Sequence, residues 1–254
     1  MRPLNTFFYP LLLAALALAG WEGACRWLHV PPYLLPAPSA IAQAILAEGS
    51  ALGAAALRTL EVALLALVIA AAAAIGLALL CRSSEVAAST VRPVASALQV
   101  TPVVAIAPLF VIWAGVDHPG RALVALAAIV AFFPLFSGAL AGLDAADENL
   151  QLLFKLHHAT RRQRLFRLEL PSAVPFLLEG FKVAAGLAIV GSVVAEFVAG
   201  SGADQGLAWR ILEAGNRLRT ADMFAALVVL SAMAALLNTL LGVAQKRLLR
   251  WWRG

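Results

Sequence analysis

Six apolar blocks are the feature that most limits what this chain can fold into. They lie near residues 1–28, 57–81, 93–114, 121–140, 176–199 and 222–245, and they are apolar throughout rather than striped on one side. About twenty helical residues cross the ~30 Å hydrocarbon layer of a bilayer. Inside that layer every backbone N–H and C=O needs a partner within the protein, so such blocks are expected as helices. Composition agrees: 62% of residues are hydrophobic and 13% are charged, against about 25% charged in soluble domains. The fold class read from the sequence is all-α, a polytopic membrane protein of about six transmembrane helices. It is expected to be a single domain over residues 1–254, with a core at about 54–247.

Charge placement orients the spans. Short cytoplasmic loops are enriched in Lys and Arg. One set of segments carries Arg2, Arg82, Arg92, Lys155, Arg161, Arg162, Arg164, Arg167, Lys246, Arg247, Arg250 and Arg253, twelve in all, whereas the other carries six, Arg26, Arg58, Arg121, Arg210, Arg217 and Arg219. The first set is assigned to the cytoplasm, with both termini. Orientation thus explains the net charge of +5 better than a nucleic-acid partner does. Ala17-Leu18-Ala19 is an A-x-A-like cleavage site, but the apolar run continues to Trp27, so an uncleaved first span is expected.

The connecting segments differ in character. Pro31, Pro32, Pro36 and Pro38 forbid a continuous helix after the first span, and Ser39 is placed to cap a short amphipathic helix at 40–48. The third span holds Pro93, Pro102 and Pro108 with Gln99 and Thr101, which predicts one kinked helix. The outer segment 200–221 is long enough to fold back with a short helix, and isolated His118 needs only a loop explanation. Glu179 and Lys182, one turn apart, are expected to pair. Gln99, Thr101, Ser192, Glu196 and Asn238 are the polar groups of the spans. Each either lines a path or gate, or makes helix–helix hydrogen bonds.

Motifs for chemistry are missing. There is no GxxxxGK[ST] loop, CxxC pair, HExxH or metal-ligand cluster, and Cys25 and Cys81 fall at opposite membrane faces. His157 and His158 are adjacent, so on a helix they diverge by about 100° and make a poor metal site. No catalytic, cofactor-binding or metal site is expected, and an enzyme is the least favoured class. Residues 144–175 stand out instead, because they concentrate Lys155, Arg161, Arg162, Arg164 and Arg167 in a segment of helical character. Charge alone fits either a solvated loop that sets topology or a helix that docks on a partner. A separately driven transporter subunit, an ion-coupled secondary transporter or channel, and a non-transporting scaffold are the functions to distinguish.

The loop resembles the permease subunits of bacterial ATP-binding-cassette importers, the binding-protein-dependent inner-membrane family. That family's loop reads EAA, three residues, Gly, nine residues, then I-x-L-P. Leu168-Glu169-Leu170-Pro171 matches its end, which places His158 at the Gly and Leu152-Leu153-Phe154 at EAA. Four further stretches, LLPAPSAI at 34–41, TPVVAIAPLFVIWAGV at 101–116, LPSAVPFLLEGFKVA at 170–184 and VVAEFVAGSGADQGLAWRI at 193–211, resemble the branch that imports nitrate, taurine, aliphatic sulfonates and thiamine-pyrimidine precursors. Together they cover roughly residues 31–247.

The resemblance implies a type I importer permease (MetI-like) fold in the bacterial inner membrane, without enzymatic activity of its own. Its partners would be a second permease copy, an external periplasmic or lipid-anchored binding protein, and a cytoplasmic ATPase dimer carrying ATP and Mg. The 144–170 loop becomes the coupling helix that sits in a cleft of the ATPase. Leu152, Leu153, Phe154, Lys155, His158, Ala159, Thr160, Arg161, Leu170 and Pro171 are its implied docking residues. The expected shape is a short helix over 152–166, ended by Pro171 and continued rigidly into the fifth span. Because His158 is bulkier than Gly and prefers negative φ, its turn is expected to be built differently. The missing Glu of EAA is expected to remove an anchoring charge.

Overall fold

The computed structural model describes residues 4–115, 118–199 and 205–252. Helices are the only regular elements among them: α1 (Leu4–Trp27), α2 (Pro38–Ala47), α3 (Gly49–Ser83), α4 (Glu85–Val100), α5 (Val103–Ala114), α6 (Pro119–Asp144), α7 (Glu148–Leu156), α8 (Arg161–Arg164), a π-turn (Leu165–Glu169), α9 (Leu170–Ala199), α10 (Leu207–Asn216) and α11 (Thr220–Trp252). Five helices are long and apolar enough to cross a membrane: α1, α3, α6, the α8–α9 run and α11. A sixth crossing needs α4 and α5 together.

That sixth crossing is not the kinked helix expected from its prolines. α4 and α5 meet at 104°, with the break at Thr101 and Pro102. Pro102 has no N–H to continue the ladder and drives the residue before it out of the α region. Thr101 accordingly has φ −70° and ψ 125°. Pro93 and Pro108 lie inside their helices. At ~1.5 Å per residue, α5 is only about 18 Å long, too short to cross alone.

The chain divides into two compact units, Met1–Leu57 with Gln205–Ala232, and Arg58–Asp204 with Met233–Gly254. In the first, Pro38 rather than Ser39 opens α2, at the first helical position where its missing N–H costs nothing. Ser39 is therefore inside the helix and does not cap it. Its N–H (3.0 Å) and hydroxyl (2.8 Å) donate to Glu22 on α1. Thr220 Oγ1 donates to the Tyr33 carbonyl at 2.8 Å, and Trp21 meets Phe224 edge-on at 6.0 Å. The outer segment does form a short helix, α10, whose Arg210 donates to Glu48 at 3.2 Å.

The second unit is built on α6 and α9, joined by the basic loop. A Cβ added at Gly142 would stand 2.8 Å from Ala173 Cα, one at Gly180 3.0 Å from the Pro134 carbonyl, and one at Gly191 2.8 Å from Ala127 Cα. Contacts rise along one helix as they fall along the other, so the pair is antiparallel. Membrane helices gain little from hydrophobic exclusion and associate through close packing of small residues. Here Ala127, Ala131, Ala173, Ala184, Ala188 and Ala195 are buried with those glycines. Ala107 of α5 joins Leu123, Leu126 and Ala195 in one core cluster.

Candidate functional site

The basic loop folds as two short helices rather than one. Asp147 caps α7, its Oδ1 accepting from the N–H groups of Asn149 (2.8 Å) and Leu150 (3.2 Å). α7 ends at Leu156, and His158 then takes φ 51°. This corrects the expectation of a differently built turn, since His158 itself adopts the left-handed conformation that glycine provides at least cost. Thr160 restarts the helix through a reciprocal cap: its Oγ1 accepts from Gln163 N–H at 3.3 Å, and Gln163 Oε1 accepts from Thr160 N–H at 2.8 Å.

Pro171 does not end a helix either. Leu165–Glu169 form a π-turn that runs directly into α9, with Leu170 N–H donating to the Leu165 carbonyl. The break in the loop is thus at His157–Thr160, and everything from Arg161 to Ala199 is continuous.

The implied docking residues fall as follows. Leu152, Leu153, Phe154 and Lys155 occupy the last turns of α7, His158 and Ala159 the turn, and Thr160 and Arg161 the start of α8. Leu170 and Pro171 open α9. α7 buries no residue, and Leu150, Leu152, Leu153 and Leu156 are all exposed, Leu156 by 77%. Leu153, Phe154, His157, Ala159, Gln163 and Arg167 line a shallow cleft of about 250 Å³.

Beneath this surface lies a group whose burial the motif spacing does not announce. Glu169, the variable position of the I-x-L-P match, is only 2% exposed. Arg82 at the end of α3 grips it at two points, Nη2 to Oε1 at 2.6 Å and Nε to Oε2 at 2.9 Å. Arg164 Nε donates to the same Oε1 at 2.9 Å. A carboxylate removed from water must be neutralised and hydrogen-bonded. A charge does anchor the loop, therefore, from its far end instead of from EAA. The available signal was that Glu169 is the sole acidic residue between Glu148 and Glu179.

The polar groups of the spans occupy separate places. Thr101 sits at the α4–α5 break and donates to the Ala97 carbonyl at 2.8 Å. Gln99, also beside the break, is exposed and lines a cavity of about 220 Å³. Asn238 is exposed on α11. Ser192 and Glu196 are buried one turn apart on α9. Ser192 donates to the Ile189 carbonyl at 2.8 Å, while Glu196 accepts from Thr59 of α3 at 2.9 Å. Glu196 also borders a cavity of about 600 Å³ with Arg58, Glu61, His118 and Arg121 over an apolar floor of Val62, Leu65 and Leu123. His118 therefore belongs to a cavity wall, beyond its role in a loop. Glu179 does not form the expected pair with Lys182 but accepts from Gln245 of α11 at 2.7 Å.

Known proteins share this arrangement of sequence. Residues 66–254 match the family described as binding-protein-dependent transport system inner membrane component. The chain is 30% identical to the formylaminopyrimidine transport permease protein ThiX of Halalkalibacterium halodurans, over 95% of each chain. It is 32% identical to the riboflavin transport system permease protein RibX of Chloroflexus aurantiacus, over 99% of this chain and 94% of that one. It is 29% identical to the taurine transport system permease protein TauC of Escherichia coli, over 94% and 87%. With its apolar helices and this match over most of its length, the chain belongs to the inner-membrane permease components of binding-protein-dependent, ATP-driven importers.

Proposed function

We propose that this permease forms, as a homodimer, the path for a small anionic or heteroaromatic solute handed over by an external binding protein. Two cytoplasmic ATPase subunits, which would carry the ATP and Mg, dock on the loop between α6 and α9. The observation that carries this is the exposed apolar surface of α7, next to exposed Lys155, Arg161 and Arg162, at the tip of a closely packed helix pair. An apolar surface rimmed by charge is how a protein interface looks from one side. The solute class follows the relatives' names, which speak of a formylaminopyrimidine, riboflavin and taurine. In this reading both termini are cytoplasmic, and the Glu196 cavity, of ligand-pocket size, borders the path or gate.

Co-expression with the ATPase and purification through the permease tests the docking. Wild type is expected to retain the ATPase, and Leu153→Asp or Leu156→Asp to lower its yield at least tenfold while the permease still accumulates. Wild type that never retains an ATPase, or Asp variants that retain it fully, would refute the reading.

A further inference from the structure

We propose that Glu169 is a positioning residue that makes the docked loop and the end of α3 move as one body. This rests on the docking reading and goes beyond it by naming how motion enters the spans. Among the described residues, the side-chain hydrogen bonds of 147–163 stay within the loop: Asp147 to its own first turn, Gln151 to the Ala146 carbonyl at 3.0 Å, and Thr160 with Gln163. α7 and α8 bury nothing. The polar attachment of the loop to other elements therefore runs through Arg164, Glu169 and Arg82, beside the buried Leu168 of the π-turn.

The backbone is shaped for this contact. In an α-helix two residues five apart point about 140° away from each other. A π-turn, with its i to i+5 period, brings them onto one face. The π-turn at Leu165–Glu169 does this for Arg164 and Glu169, leaving the second carboxylate oxygen to Arg82. Two-point contact of a guanidinium with a carboxylate constrains angle as well as distance. Asp144, the last residue of α6, lies 3.8 Å from Arg82 and 3.9 Å from Arg92 of α4. Five elements, α3, α4, α6, α8 and the π-turn, thus converge on one ion-pair network, and a push on α7 reaches α3 without passing along the α6–α9 interface.

The test uses nitroxide pairs at Asn149→Cys, in the first turn of α7 and outside the docking residues, and Leu80→Cys, both exposed positions, with Cys25 and Cys81 changed to Ala. The permease is measured in nanodiscs, alone and bound to its ATPase with MgATP and vanadate. With the labelled copy diluted by an excess of unlabelled, cysteine-free copy, the parent pair is expected to give one narrow distance in both states. Arg82→Gln and Glu169→Gln are each expected to at least double its width, and the double variant to be no broader than either single. Arg82→Lys, which keeps the charge without the two-point contact, should be intermediate, and it carries the test if Glu169→Gln does not accumulate. Parent-like widths in the single variants, or additive broadening in the double, would overturn the proposal. Leu153→Asp separates the two readings, because it should abolish ATPase retention while leaving the width unchanged.

Discussion

His158 holds φ at 51° where the family's loop pattern has glycine. The left-handed region costs an L-residue roughly 1–2 kcal/mol, and histidine is among the residue types that visit it more often than most. Glycine would relieve that cost but loses about 0.5–1 kcal/mol of unfolded-state freedom. His158→Gly is therefore expected to lie within about 1 kcal/mol of wild type and to keep ATPase retention. His158→Val, β-branched, should lose a further ~1–2 kcal/mol, seen as a melting midpoint several degrees lower in detergent. Equal midpoints for Val and Gly would show that the turn does not need this conformation. The position could be found from the motif spacing, but its conformation could not. The side chain alone argues for negative φ, but the caps on both sides, Asp147 on α7 and Thr160 with Gln163 on α8, fix two short helices that the turn at His158 has to join.

Among the elements, the α6–α9 pair is the most demanding. Gly142 and Gly191 each face backbone across the interface, where an added Cβ would come within 2.8 Å of an alanine Cα. Backbone cannot rotate aside, so the helices must separate. Gly142→Val or Gly191→Val is expected to cost about 1–3 kcal/mol and to lower the yield of folded permease by size-exclusion profile. Gly76→Ala, with nothing within 4 Å of its Cβ, should be neutral or stabilising by up to about 1 kcal/mol. If all three behaved alike, the close-packed interface would be wrong. Both glycines are plain in the sequence, yet nothing in apolar blocks of near-uniform hydropathy tells which face meets which helix. The same limit explains the α4–α5 break. Pro93, Pro102 and Pro108 look equivalent in the sequence, and only Pro102 parts two helices.

At the scale of the whole molecule, the orientation can be read directly. Single cysteines at Gly215 on α10 and His157 in the loop, in a background without Cys25 and Cys81, should react with membrane-impermeant maleimide from opposite sides of intact spheroplasts. Gly215→Cys is expected to label from outside and His157→Cys only after permeabilisation. Labelling of both from one side would overturn the six-crossing topology, in which the bent α4–α5 pair must act as a single span.

The sequence by itself determined that the chain lies in a membrane as a bundle of apolar helices, which loop is basic and which family it belongs to. These follow from solvent transfer, because long apolar runs and clustered cations have few alternatives in a bilayer. Charge alone leaves the basic loop open between a topology signal and a docking helix. Its first half, Leu152 to His158, is an exposed helix end and a left-handed turn, with no carboxylate at the EAA position. What only the tertiary structure decided is the anchor. Arg82 and Glu169 are 87 residues apart, and a buried carboxylate is tolerable only where folding brings its partners to it.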